Sequence, residues 1–253
     1  MSVPFGRRVL PCLLGAGLVA GCSDGSGPNT SSHATMSFAQ ASNAAPASLS
    51  AAPISLGGQT LTLTQVQLVL SEVELKQADN SGTCTGEGPG CEEFEAGPVL
   101  VDLPLGGGVI TPLSTDVTAG TYSEAELKVD IPSEDDAATT AFLAAHPAWP
   151  TTASVHVVGT FDAGDGAGPQ PFDTYIAGEA ELELAFDPPL VVDATGALNI
   201  TVAIDANAWF VSGSGLIDPR ALAGNPSLQE SVFTNIDASF HAFEDDNHDG
   251  HAD

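Results

Sequence analysis

Three segments of this chain alternate apolar and polar residues with a period of two, and that pattern dictates strands. Ala125, Leu127, Val129 and Ile131 alternate with Glu124, Glu126, Lys128 and Asp130. Ala180, Leu182, Leu184 and Phe186 alternate with Glu179, Glu181 and Glu183, and Leu198, Ile200, Val202 and Ile204 with Asn199, Thr201, Ala203 and Asp205. Successive side chains of a strand point to opposite faces, so each set puts one face in a core and the other in water. Val155, Val157 and Phe161 extend the pattern around His156, and Thr35 to Ala39 reads as a further short strand. Leu61 to Lys76 changes phase midway, which fits one long strand with bulges or two strands. Breakers separate the runs at Gly106-Gly107-Gly108, Ala119-Gly120, Asp165-Gly166, Asp187-Pro188-Pro189 and Thr195-Gly196. Short, regularly spaced strands predict a mainly β fold, an antiparallel sandwich.

Two peripheral helices are expected. Acidic residues from Glu134 to Asp136 precede an alanine-rich run and Pro147 follows it, placing a helix near 135–146. Asn225-Pro226 is a good N-cap followed by Pro, and Leu228, Val232, Ile236 and Phe240 recur every four residues, placing a second near 226–242.

The N-terminus reads as an address. Arg7 and Arg8 precede a largely apolar run from Val9 to Ala20. That run is short of the roughly 20 residues needed to span a bilayer and suits a signal-peptide core. Leu18-Val19-Ala20-Gly21-Cys22 resembles the bacterial lipobox. The resemblance implies a signal peptide over 1–21, cleavage before Cys22, and acylation of the Cys22 thiol and new α-amine. Ser23 in the next place implies export to the outer membrane of a two-membrane bacterium. A Ser, Gly and Asn-rich tether over 22–33 would lead into a sandwich domain over 34–244.

Charge restricts the partners. The chain carries 33 acids against five basic residues, a formal net charge of −28. Cleavage before Cys22 leaves only Lys76, Lys128 and Arg220 against the same 33 acids, a charge of −30. Nucleic acid, which requires a basic footprint, is excluded. Electrostatic docking on anionic lipid is disfavoured as well. Cationic partners, metal ions and a saline habitat fit. Cys84 and Cys91, in a glycine-rich loop of an exported chain, read as a disulfide, with a two-cysteine metal site as the lesser alternative.

The segments Val99-Leu-Val-Asp102-Leu103, Ala119-Gly120-Thr121-Tyr122 and Leu127-Lys-Val129 resemble bacterial lipoproteins with an uncharacterised prealbumin-like, that is transthyretin-like, β-sandwich domain. The resemblance spans about Gln59 to Ile131. It implies a surface lipoprotein and a transthyretin-like or immunoglobulin-like sandwich, and no catalytic residues.

The one constellation with chemistry is the acidic tail over 245–253. Counting from Asp245 gives D-x-N-x-D-G-x-x-D. Oxygen ligands at positions 1, 3 and 5 with Gly at 6 are the start of an EF-hand-type calcium loop. The tail also looks like the calcium repeats of thrombospondin type 3 and dockerin modules. Asp245, Asn247, Asp249 and Asp253 would offer side-chain oxygens and His251 its carbonyl. The sequence ends before position 12, where an EF-hand places a bidentate Glu, so millimolar affinity is expected. A solvated acidic tail is the plain alternative, and a transition-metal site using His241, His248 and His251 ranks lower.

Enzyme signatures are absent: there is no G-x-S-x-G, H-E-x-x-H or phosphate-binding glycine motif. Glu179, Glu181 and Glu183 read as a solvated face, and His156 as a structural or surface residue. Trp149, Trp209, Tyr122 and Tyr175 could line a sugar face, with core packing the stronger reading. The sequence therefore predicts a non-enzymatic, lipid-anchored envelope protein that binds or scaffolds, with a glycan or another envelope protein as partner. The alternative is a carbohydrate-binding or carbohydrate-active lipoprotein. Exposed aromatics gathered on one face would favour that alternative, and their burial the first reading.

Overall fold

The computed structural model describes residues 32–41, 53–78, 92–133, 136–194 and 196–253. Its strands are β1 (Ser32–Gln40), β2 (Ile54–Leu56), β3 (Gln59–Gln77), β4 (Glu92–Ala96), β5 (Val99–Asp102), β6 (Val109–Val117) and β7 (Gly120–Val129). Helix α1 (Ala137–Ala145) is followed by β8 (Val155–Asp162), β9 (Gln170–Ile176), β10 (Ala180–Val192) and β11 (Ala197–Ile204). The hairpin β12 (Val211–Ser212) and β13 (Gly215–Leu216), helix α2 (Pro226–Asp237) and β14 (Phe240–Glu244) complete the chain. Cys22, Cys84 and Cys91 lie outside the described residues.

The molecule is mainly β and consistent with a sandwich, as the alternating segments require. One sheet has the order β14-β11-β1-β6, and the other is built around β3, which joins β7-β10 and β8-β9. Leu198, Ile200, Val202 and Ile204 of β11 meet Tyr122, Ala125, Leu127 and Val129 of β7 in one continuous core. Among the described residues the pairing is antiparallel with one exception: β1 runs parallel to β11 from His33↔Ala197 to Gln40↔Ile204. β1 is thus an interior strand, and it begins at Ser32, inside the stretch expected to be tether.

The phase change in Leu61–Lys76 has a structural cause. β3 is one strand of 19 residues that exchanges partners midway. Its first half pairs with β8, from Thr60↔Asp162 to Leu68↔Val155, and its second with β7, from Leu70↔Val129 to Gln77↔Tyr122. At the exchange, the Val69 amide donates to the Ser154 carbonyl (2.8 Å) and the Val69 carbonyl accepts from the Asp130 amide (3.3 Å). Both polar groups of a strand residue point to one edge, so β8 and β7 sit end to end along the same edge of β3. Register shifts between Leu63 and Gln65 and between Leu70 and Glu72 move the apolar residues from one parity to the other.

Helix α1 packs over Val69, where β3 exchanges partners. Asp136 caps it, its carboxylate accepting from the Thr139 amide (2.6 Å) and the Thr139 hydroxyl (3.0 Å). Phe142 packs with Trp149 and Val69 in a small second core. Helix α2 buries Val232, Phe233 and Ile236. A Cβ at Gly178 would overlap the Phe233 ring, so glycine there lets the helix approach. The helix expected over 226–242 stops at Asp237. Phe240 continues the four-residue period but belongs to β14, where it pairs with Ile204.

Candidate functional site

The C-terminal residues form a folded loop on the outer face of the first sheet. That face is made of small side chains: Ala39, Ser37 and Thr201 are all buried. Gly250, at φ 83°, packs over Val109 and Ala39. Asp245 leaves β14 with its amide donating to the Asn199 carbonyl (2.9 Å), and its side chain is fully buried. One carboxylate oxygen, Oδ1, accepts from the Asp249 amide (3.0 Å). The other, Oδ2, accepts from the Gly250 amide (3.0 Å) and the Thr201 hydroxyl (2.6 Å).

The remaining oxygens each hold the next turn. Asn247 Oδ1 accepts from the Asp249 amide (2.9 Å), and Asp249 Oδ1 from the His251 amide (2.9 Å). Asp253 closes the ring. Its amide donates to the Glu244 carbonyl (3.3 Å), and its carboxylate accepts from the Asp246 amide and from Asn247 Nδ2 (3.0 Å). His248 takes a positive φ of 55°, a conformation that His tolerates better than most residues. A freely solvated tail does not describe this segment.

The donor set suits a hard cation. Asp245, Asn247, Asp249 and Asp253 present oxygen side chains, and the His251 carbonyl adds another. A carboxylate has about four acceptor positions, and the hydrogen bonds above use three on Asp245, one on Asp249 and two on Asp253. Acceptor capacity therefore remains at every candidate ligand. Among the described residues no three His, Cys, Asp or Glu side chains are already gathered as a metal cluster. The three carboxylates face backbone amides instead of one another. His241 lies in β14 and His248 and His251 are exposed in the loop, so no imidazole cluster forms either.

Elsewhere the acids are spread over a sheet face. The register aligns Glu183, Glu126 and Glu74 across β10, β7 and β3, and beside them Glu181, Lys128 and Glu72. Glu179, Glu181 and Glu183 are exposed, as their alternation implies. The two lysines offset the like charges. Lys76 bridges Glu126 and Glu124, and the Glu126 hydrogen bond, with the surrounding carboxylates, raises its pKa above the ordinary lysine value despite partial burial. Lys128 reaches Glu179 (3.1 Å) and Glu181 (3.5 Å), and the Glu179 bond raises its pKa likewise.

His156 is a tie between strands. Its Nε2 lies 2.8 Å from Asp173 Oδ1 on β9, and its Nδ1 3.1 Å from Gln67 Oε1 on β3. Gln67 donates in turn to Asp102 on β5 (3.1 Å). Tyr175 stacks on the His156 ring at 4.1 Å, with Trp149 edge-on to both. A sugar platform is not assembled: Trp209 and Tyr122 are fully buried, Trp149 is 7% exposed, and only Tyr175 reaches solvent. Among the described residues no helix is long and apolar enough to cross a membrane. No family model, curated protein or solved structure matches this chain.

Proposed function

We propose that this chain is a cell-envelope binding or scaffolding module, held to the membrane through lipid on Cys22, whose C-terminal loop takes Ca²⁺. The observation that carries the reading is the nine-residue ring closed on the buried Asp245 carboxylate. Asp245, Asn247, Asp249, His251 and Asp253 stand at the odd positions that a calcium loop uses. Bound Ca²⁺ would supply charge neutralisation where five acids fall between Glu244 and Asp253 without a Lys or Arg. Asp245 anchors the loop to Thr201, and Gly250 lets it lie close against Ala39. Ion occupancy would thereby tie the chain end to β1, the strand that the proposed lipid tether enters. Burial of three of the four Trp and Tyr side chains quoted above argues for this reading over a glycan platform.

The test is the melting temperature of the full-length chain in detergent with chelator, then Ca²⁺, then Mg²⁺ at matched ionic strength. A rise specific to Ca²⁺ that Asp249→Ala removes is expected, because only a ligand of the native state raises stability by mass action. Equal rises with both ions would mean screening of the net charge and would overturn the reading.

A further inference from the structure

Three polar side chains on β1 and β6 stand in an order that supports acyl transfer. Ser114 Oγ lies 2.6 Å from His33 Nε2, and His33 Nδ1 lies 3.5 Å from Asp116 Oδ1. An ionised Asp only accepts, so it favours the tautomer with hydrogen on Nδ1 and leaves Nε2 to accept the Ser114 proton. A nucleophile, a base and an orienting acid in this relation are recognised by geometry and not by sequence position. The 3.5 Å separation is at the long limit, as catalytic hydrogen bonds often are without substrate.

The backbone adds an oxyanion donor. The His33 amide donates to the Gly196 carbonyl (3.2 Å), so the polar groups of His33 point toward β11. Those of Thr35, two residues on, point the same way. His33↔Asp116 and Thr35↔Ser114 are therefore pairs without mutual backbone hydrogen bonds, in which the side chains come closest. It follows that the amides of Ser114 and Asp116 point away from β1. β6 ends the order of its sheet, so among the described residues these amides face an open edge. The amide of the nucleophile itself can thus meet the oxygen of the carbonyl it attacks. The site lies on the exposed outer face of the sheet, because Ala34, Met36 and Leu113, the neighbours of opposite parity, point into the core.

We propose that Ser114, His33 and Asp116 hydrolyse carboxylic esters that reach this exposed sheet face. Ser114 Oγ bonds to the ester carbonyl carbon as its proton passes to His33 Nε2. The tetrahedral adduct expels the alcohol, which takes that proton. Water then adds to the acyl carbon, giving a proton to Nε2, and collapse releases the carboxylic acid and returns the proton to Ser114. Ser114 and His33 are catalytic residues, and Asp116 is a positioning residue.

The experiment is hydrolysis of p-nitrophenyl acetate by the full-length chain, with Ser114→Ala, His33→Gln and Asp116→Asn alongside, and mass spectrometry after a fluorophosphonate probe. Ser114→Ala and His33→Gln are expected to lower kcat/KM about tenfold or more. Asp116→Asn should lower kcat and change the pH–rate profile, with little effect on KM. The probe should label Ser114. A Ser114→Ala rate within twofold of the parent, or a probe that leaves Ser114 unlabelled, overturns the proposal. The labelling arm keeps the test decisive if a variant fails to fold.

Discussion

Asp245→Ala is the perturbation that separates a built loop from a loose acidic end. The Asp245 carboxylate is fully buried and accepts three hydrogen bonds. Removing it strands the Gly250 amide and the Thr201 hydroxyl, while the Asp249 amide keeps its bond to Asn247 Oδ1. The Gly250 amide belongs to a surface loop and can turn to water. The Thr201 side chain cannot, because that residue is completely buried in the sheet. A buried donor left unsatisfied costs about 1–3 kcal/mol, and the lost bonds to a charged acceptor add to that. The expected loss is roughly 3 kcal/mol. For a chain of this size it lowers Tm by roughly 6–12 °C. The assay is urea unfolding with chelator present throughout, so that no ion contributes. Thr201→Val supplies the control. It removes the stranded hydroxyl, so the double variant should cost less than the sum of the singles. A loss under about 0.5 kcal/mol for Asp245→Ala, the range of an ordinary surface change, would refute the reasoning.

Further predictions follow from the same contacts. Gly178→Ala should push the Phe233 ring off its seat and cost about 1–3 kcal/mol by overpacking, read from denaturant unfolding; a neutral result would mean α2 packs elsewhere. The raised pKa of Lys76, caused first by its bond to Glu126, means that its contribution is complete below the unfolded value of about 10.4 and is lost as pH rises through the folded value. Stability should therefore fall more steeply above about pH 10.4 in the parent than in Lys76→Met, measured by unfolding at stepped pH. Asp136 is the opposite case: the Thr139 amide bond lowers its pKa, so its contribution is present above about 3.9 and is lost as pH falls through the folded value. Asp136→Ala should flatten acid unfolding in that window. Cys22→Ser should leave the chain in the aqueous fraction of a detergent phase separation, where the parent should partition with detergent.

What the sequence discloses here is local, and what it conceals is long-range. The alternation of Leu127 with Glu126 and of Leu182 with Glu181 exposes β7 and β10, because each strand has one wet face. The phase slip near Leu70 is visible, yet its cause, one strand serving β8 and then β7, depends on partners 45 or more residues away. Parallel pairing of β1 with β11 has no local signature at all. Phe240 misleads because a strand happened to begin in phase with a helical stripe: the Ser239 amide closes the helix on Ile236, and β14 starts at once. The oxygen spacing of the C-terminal loop is legible. The burial of Asp245 is not, since nothing in an acidic string marks which carboxylate finds Thr201. Ser114 and His33, 81 residues apart, meet only through strand register.

Calorimetric titration of Ca²⁺ into the full-length chain at 0.15 M salt, with Asp249→Ala in parallel, bears most directly on the central claim. The account predicts one site per chain with a dissociation constant of about 10⁻⁴ to 10⁻³ M, absent from Asp249→Ala and not reproduced by Mg²⁺. Heats that are identical for parent and variant, or that follow ionic strength alone, would contradict it.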